Sequence, residues 1–215
     1  MKDHLKLIVF DLDGTLVDAY KAVVSSLNYA LNKTGYSKQK GSVIKRSVGW
    51  GDRNLILKFV DAGHVEKVLK VYRAHHKKAL KTGTVFLPYA KATLRWVKVR
   101  GFRLAVASNR PSFYTRVILR HLKVWSWFDM VLCADQVKRP KPAPDLLKEI
   151  MRRLSVKTRE TMYVGDMHID VQTGNRAKVK TVAVLTGSCT RKEVSIYKPY
   201  KIIAHVGKII NVISN

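Results

Sequence analysis

Acidic residues are scarce in this chain: 15 Asp and Glu stand against 41 Lys and Arg in 215 residues, a formal charge of +26. The imbalance excludes a cation-seeking acidic surface and implies attraction to phosphates, anionic metabolites or nucleic acid. Cysteine is nearly absent too. Cys133 lies in the apolar run VLCA and reads as a core thiol, and neither it nor Cys189 has metal-type partners at short spacing. A reducing cytoplasm is the simplest compartment for such a chain. No apolar run approaches the length of a membrane span. The first residues, MKDHLKLIVFD, hold no long apolar stretch before a small-residue cleavage site, so no signal peptide is expected. Internal repeats and low-complexity tracts are also missing.

What is present is a globular composition, 47% hydrophobic, long enough for one domain with an insertion or two small domains. The positive charge is spread along the chain, with local clusters at 73–81, 138–141 and 152–159. A solvated surface is the simpler expectation and a dedicated nucleic-acid face the other. Incidental polyanion binding at low salt is expected in either case.

The stretch LKLIVFDLDGTLVD at 5–18 organises the rest. Residues 7–10 are apolar and rich in β-branched and aromatic side chains, as a strand buried on both faces would be. Asp11 and Asp13 follow, two apart, so they stand together at the strand's tip, where Gly14 lets the backbone turn. Two carboxylates this close repel unless a cation or a shared proton offsets the charge. A hard cation such as Mg2+ suits them, and a capping or turn-forming DxDG is the structural alternative.

Along the rest of the chain the texture changes twice. Residues 16–83 read as wholly helical, with apolar positions three and four apart and breaks at Gly35 and at Gly49-Trp50-Gly51. From residue 84 onward short apolar runs alternate with helical stretches. Strands are expected at 102–107, 128–134, 161–164, 181–185 and 202–204, and a closing helix at 206–213. That alternation implies an α/β fold: a Rossmann-like parallel sheet flanked by helices, with an inserted all-helical cap. The expected division is a core of 1–15 and 84–215 and a cap of 16–83.

Ligands of such sheets bind beyond the carboxyl ends of the strands. Here those ends carry Asp11 and Asp13, then Ser108 and Asn109, then Asp166 and Asp170, and Lys141 lies on the loop after the third strand. This convergence is a stronger signal than any one motif. Taken singly, Ser108 also suits the cap of the helix opened by Pro111, Lys141 a surface charge, and Asp170 a helix N-terminus. His75 and His76 are adjacent on a helix, so they do not form a metal pair. His168, between two site carboxylates, is expected to be a spectator, while Trp50 suits cap packing or substrate contact equally.

The chain resembles haloacid dehalogenase-superfamily phosphohydrolases that carry a helical cap after their first motif. DLDGTLVD, the ASN of 107–109, KPAPD at 141–145 and VGDMHIDVQTGNRA at 164–177 are similar to that family's four motifs, in order and across nearly the whole chain. The third motif has the form usual in the phosphoglycolate phosphatase and β-phosphoglucomutase-like branch. The resemblance implies a Mg2+-dependent phosphatase working through an aspartyl-phosphate. Asp11 would be the nucleophile and Asp13 the general acid and base. Asp11, the Asp13 carbonyl and Asp166 would hold Mg2+, with Asp170 as ligand or anchor. Ser108, the Asn109 backbone N–H and Lys141 would bind phosphoryl oxygens, and Gly14 and Thr15 would shape the turn around them. Arg46 and Arg53, flanking the Gly-Trp-Gly break, suit either a second anionic group of a small phosphoglycolate-like substrate or the role of solvated helix arginines. A phosphosugar mutase of the same fold, or a basic nucleic-acid-binding protein, are the alternatives.

Overall fold

The structure, a computed structural model, describes residues 5–214, so residues 1–4 and 215 of the expected core lie outside the described residues. Strand β1 (Leu7–Phe10) is buried throughout, as its unbroken apolar run requires. Beyond the turn at 11–16 comes a two-residue strand β2 (Val17–Asp18), then helices α1 (Tyr20–Lys33), α2 (Gly41–Ser47), α3 (Asp52–Leu57) and α4 (Val65–Gly83). The chain returns through β3 (Val85–Phe86) and alternates through α5 (Ala90–Val99), β4 (Arg103–Ser108), α6 (Ser112–His121), β5 (Met130–Cys133) and α7 (Asp145–Arg153). It ends with β6 (Thr161–Gly165), α8 (His168–Ala177), β7 (Lys180–Val184), α9 (Arg191–Ser195), β8 (Lys201–Ile203) and α10 (Ile209–Ser214).

Six strands form one parallel sheet in the order β5-β4-β1-β6-β7-β8. Alternation along β1 feeds two cores. Ile8 and Phe10 join residues of α5, α6 and α10 on one face, while Leu7 and Val9 join Leu146, Leu147 and Ile150 of α7 on the other. Complete burial of each such side chain contributes roughly 1.5–3 kcal/mol. The helices α1 to α4 carry a core of their own, built on Leu27, Leu31, Ile44, Ile56, Val68 and Tyr72.

Two expectations need correction. Residues 16–83 are not wholly helical: Val17 and Asp18 pair antiparallel with Phe86 and Val85. The chain leaves and re-enters the core side by side, and pairing satisfies backbone groups that would otherwise be left open. The short α9 was also unforeseen. Its signal was present, because Thr190 and Glu193 form a capping box. Among the described residues no helix is long and apolar enough to cross a membrane.

Candidate active site

Phe10 pairs with Val106 on one side and Val164 on the other, so the three central strands run in register toward one edge. The Asp11 N–H extends the ladder one residue further, to the Val164 carbonyl at 2.8 Å. Asp11 is thereby fixed at the sheet's carboxyl edge. The turn that follows places Gly14 at φ +82, where a β-carbon would collide with the Asp166 carboxylate. Gly187, after β7, closes on Asp166 from a second direction with the same consequence. Thr15 Oγ1 donates to Asp166 Oδ1 at 3.1 Å, and Asp166 Oδ2 is buried without a partner among the described residues.

Lys141 reaches this edge from the loop before α7. Its Nζ lies 2.7 Å from Asp11 Oδ1, 2.7 Å from Asp170 Oδ1 and 3.1 Å from the Tyr163 hydroxyl. Lys141 is buried and paired, so it is not a surface charge. The loop is held by Asn109, whose Oδ1 accepts from the Lys141 N–H while its Nδ2 donates to the Lys141 carbonyl. The same Nδ2 donates to the carbonyl of Gly49, between α2 and α3, at 3.0 Å. Asp170 is equally occupied, accepting from Lys141, from the Tyr163 hydroxyl and from the Met167 N–H. Ser108 is buried, and its Oγ accepts from the Arg110 N–H at 3.1 Å.

The charges strain against one another. Burial pushes Asp11 up to about 7, and Asp170 and Asp13 add to the rise although the Lys141 ammonium opposes it. Burial, with Asp11 and Asp170 beside it, raises Asp166 well above the usual carboxylate range. For Lys141 burial acts downward, but Asp11 and Asp170 outweigh it and hold the ammonium protonated. Carboxylate oxygens of Asp11, Asp166 and Asp170 lie within 4.8 Å of one another. The orphaned Asp166 oxygen and this crowding fit a small hard cation, which would offset the charge the burial penalises. The Asp13 carboxylate is not part of that trio.

Arg110 was missed, although it directly follows Ser108 and Asn109. Its Nε and Nη2 grip the two Asp13 oxygens at 2.8 Å each, and its Nη1 donates to His76 Nε2 of α4 at 2.8 Å. Accepting there, His76 carries its ring proton on Nδ1, beside Ser26 Oγ at 3.0 Å. Burial and the nearby guanidinium push His76 down to about 2. Tyr163 was missed because its strand position reads as plain core.

A cavity of about 80 Å³ lies between the sheet edge and the inserted helices. Its lining includes Asp11, Asp13 and Lys141 together with Val23, Leu55 and Tyr72. Asp52 also lines it, with its carboxylate engaged by Arg73 at 2.8 Å. Arg46 and Arg53 are not brought to it. Both are largely exposed, paired at 2.9 Å with Glu193 and Glu66 respectively. His168 packs in a stack with Tyr197 and places Nδ1 3.5 Å from Cys189 Sγ, and Trp50 leans toward its ring at 6.2 Å.

Known proteins resemble this chain in sequence and in fold. Residues 8–184 match the family model of haloacid dehalogenase-like hydrolases. A phosphoglycolate phosphatase of Aquifex aeolicus is 30% identical over 85% of this chain and 86% of its own length. Pyrophosphatase PpaX of Bacillus mycoides is 27% identical over 98% and 97%. The fold superposes with a TM-score of 0.89 on a haloacid dehalogenase-like hydrolase of Streptococcus pneumoniae, at 16% identity over 97% and 98% of the two chains. Sequence match, near-complete coverage and the shared architecture coincide: the chain belongs to the haloacid dehalogenase-like hydrolase family.

Proposed function

We propose that this hydrolase is a Mg2+-dependent phosphatase of small phosphomonoesters that works through an aspartyl-phosphate, with 16–83 as its cap and 1–15 with 84–215 as its core. The observation that carries the reading is the placement of Lys141 between Asp11 and Asp170, beside the unpartnered oxygen of Asp166.

Lys141 holds Asp11 by Oδ1, so the other carboxylate oxygen is the one that attacks phosphorus. The phosphorus–oxygen bond to the alcohol breaks as Asp13 gives that oxygen its proton. Asp13 then takes a proton from water, the resulting hydroxide attacks the phosphorus of the aspartyl-phosphate, and Asp11 and inorganic phosphate separate. To carry a proton, Asp13 must give up one of its two contacts with Arg110, so the bidentate grip belongs to the resting state. Ser108 would donate to a phosphoryl oxygen, and the Lys141 ammonium would supply positive charge beside it. A divalent cation bound by Asp11, Asp166 and the Asp13 carbonyl, with Asp170 alongside, would let these carboxylates approach a phosphate dianion. The Asn109 bond to Gly49 ties the cap to the core over the cavity and supports exclusion of water.

The relatives' names put phosphoglycolate and pyrophosphate first among substrates to try. Esters with an uncharged leaving group belong beside them, since Val23, Leu55 and Tyr72 give the cavity apolar lining. Both cysteines are unpaired, as a cytoplasmic enzyme's would be. The test is a screen of phosphorylated metabolites with Mg2+ that reads released phosphate. At least one ester turns over, and chelation stops it; no release from any ester with Mg2+ present overturns the proposal.

A further inference from the structure

Between Glu66 and Asp129 the chain carries no acidic residue and fifteen Lys and Arg. All of these except Arg110 are exposed. All except Arg73 and Arg110 are without a carboxylate partner among the described residues. The segment comprises α4, α5, β4, α6 and the 3-10 turn Trp125–Trp127.

The fold gathers these cations and interleaves them with aromatic rings. Lys77 of α4 stands 5.4 Å from the ring centre of Phe113 on α6, and half of Phe113 is exposed. From α6, Arg116 and Arg120 lie 5.4 and 5.9 Å from the ring of Trp125. Lys98 of α5 donates to the Trp127 carbonyl at 3.3 Å, and Arg100 covers Trp96 at 4.6 Å. Contacts between cations and aromatic residues thus recur on α4, α6, the turn and α5. Helices α5 and α6 share one face of the sheet, with α7 on the opposite face.

We infer that this face binds single-stranded nucleic acid. Unpaired cations at this density attract a phosphodiester backbone and gain from counterion release. The half-exposed ring of Phe113, with the partly buried Trp96 and Trp125 beyond it, offers the kind of aromatic surface on which unpaired bases stack, and a duplex has no unpaired base to place there. A surface that served only solubility would need neither the exclusion of acids over 62 residues nor the aromatic interleaving. The inference stands apart from the phosphatase site, since Lys77, Phe113, Arg116 and Arg120 do not line its cavity.

The test is fluorescence anisotropy with the full chain and labelled poly-uridine RNA and poly-thymidine DNA of about 20 nucleotides, enough to span several stacking positions. Four phosphate contacts at a slope of about 0.7 each lower the affinity roughly 50-fold between about 50 and 200 mM salt. The Lys77→Gln/Arg116→Gln/Arg120→Gln variant binds at least about tenfold more weakly, and its salt slope drops by about two. Phe113→Ala loses about fivefold or more for the single strand, with the slope and duplex binding unchanged. A matched control, Lys148→Gln/Lys157→Gln/Arg159→Gln on and after α7, removes the same charge and changes binding less than about twofold. Small-ester turnover is unchanged in both triple variants. RNA and DNA are told apart by their relative affinity. Equal loss in the control reduces the effect to net charge and overturns the inference. So does tighter capture of duplex, of an inorganic polyphosphate chain or of phosphatidylserine vesicles at the same salt.

Discussion

Arg110 holds both carboxylate oxygens of Asp13 at 2.8 Å and at the same time donates to His76 of the inserted helices. One guanidinium therefore joins the proposed acid–base residue to the cap. Ser26 continues the line at 3.0 Å from His76.

A lost grip on Asp13 affects proton transfer more than substrate binding. Arg110→Ala is expected to lose about 100-fold in kcat, with KM changed less than about threefold. Arg110→Lys regains less than about tenfold of that, because an ammonium cannot hold two carboxylate oxygens and an imidazole in one plane. Steady-state kinetics on any turned-over ester checks this. A rise in KM alone would assign Arg110 to substrate binding instead.

Lys141→Met leaves the buried carboxylates of Asp11 and Asp170 without their cation. Removing one partner of a buried pair costs about 3–5 kcal/mol, so the melting temperature falls by roughly 10 °C. Turnover falls by more than about 100-fold. Thermal unfolding and phosphate release measure the two effects separately.

The Mg2+-induced rise in melting temperature is larger at pH 8 than at pH 5. Burial raises Asp11 from 3.8 to about 7 in the folded protein. Its contribution to stability is complete below its ordinary value and is lost as pH rises through about 7, so the metal-free site is most strained at pH 8. Asp166 shifts in the same direction. His76 acts the other way: lowered from 6.5 to about 2, it makes the protein lose stability as pH falls below 6.5. Because His76 is present with and without the ion, the difference between the two melts isolates the carboxylates. An equal rise at both pH values would contradict this account.

Arg46→Ala and Arg53→Ala change kcat/KM by less than about twofold for any ester, phosphoglycolate included. Each loses only an exposed ion pair that solvent screens. Asp52→Asn, at the cavity wall and with Arg73 released, favours anionic leaving groups several-fold over uncharged ones.

Much of this site was legible because the sheet enforces it. Strand ends carry Asp11, Ser108 and Asp166 to one edge, and spacing alone gives their common direction. Lys141 was legible through its place after a strand, although only the fold shows it buried between two acids. What stayed hidden depends on contacts between distant segments. Arg110 reads as one more cation in a basic chain until the fold sets it against Asp13, 97 residues away. Tyr163 reads as a core residue until its hydroxyl meets Asp170 and Lys141, and Gly187 as a loop glycine until Asp166 fills the space beside it. Arg46 and Arg53 misled because proximity to a break in the helices was taken for proximity to substrate. Their acids, Glu193 and Glu66, are 147 and 13 residues away.

The nucleophile is the centre of the account, and Asp11→Asn tests it with the least intervention, since the side chain keeps its shape and loses its charge. With Mg2+ and an ester that the parent protein hydrolyses, phosphate release from the variant is expected to fall more than about a thousandfold with the fold retained. Release within about tenfold of the parent would show that phosphorus is attacked by some other group.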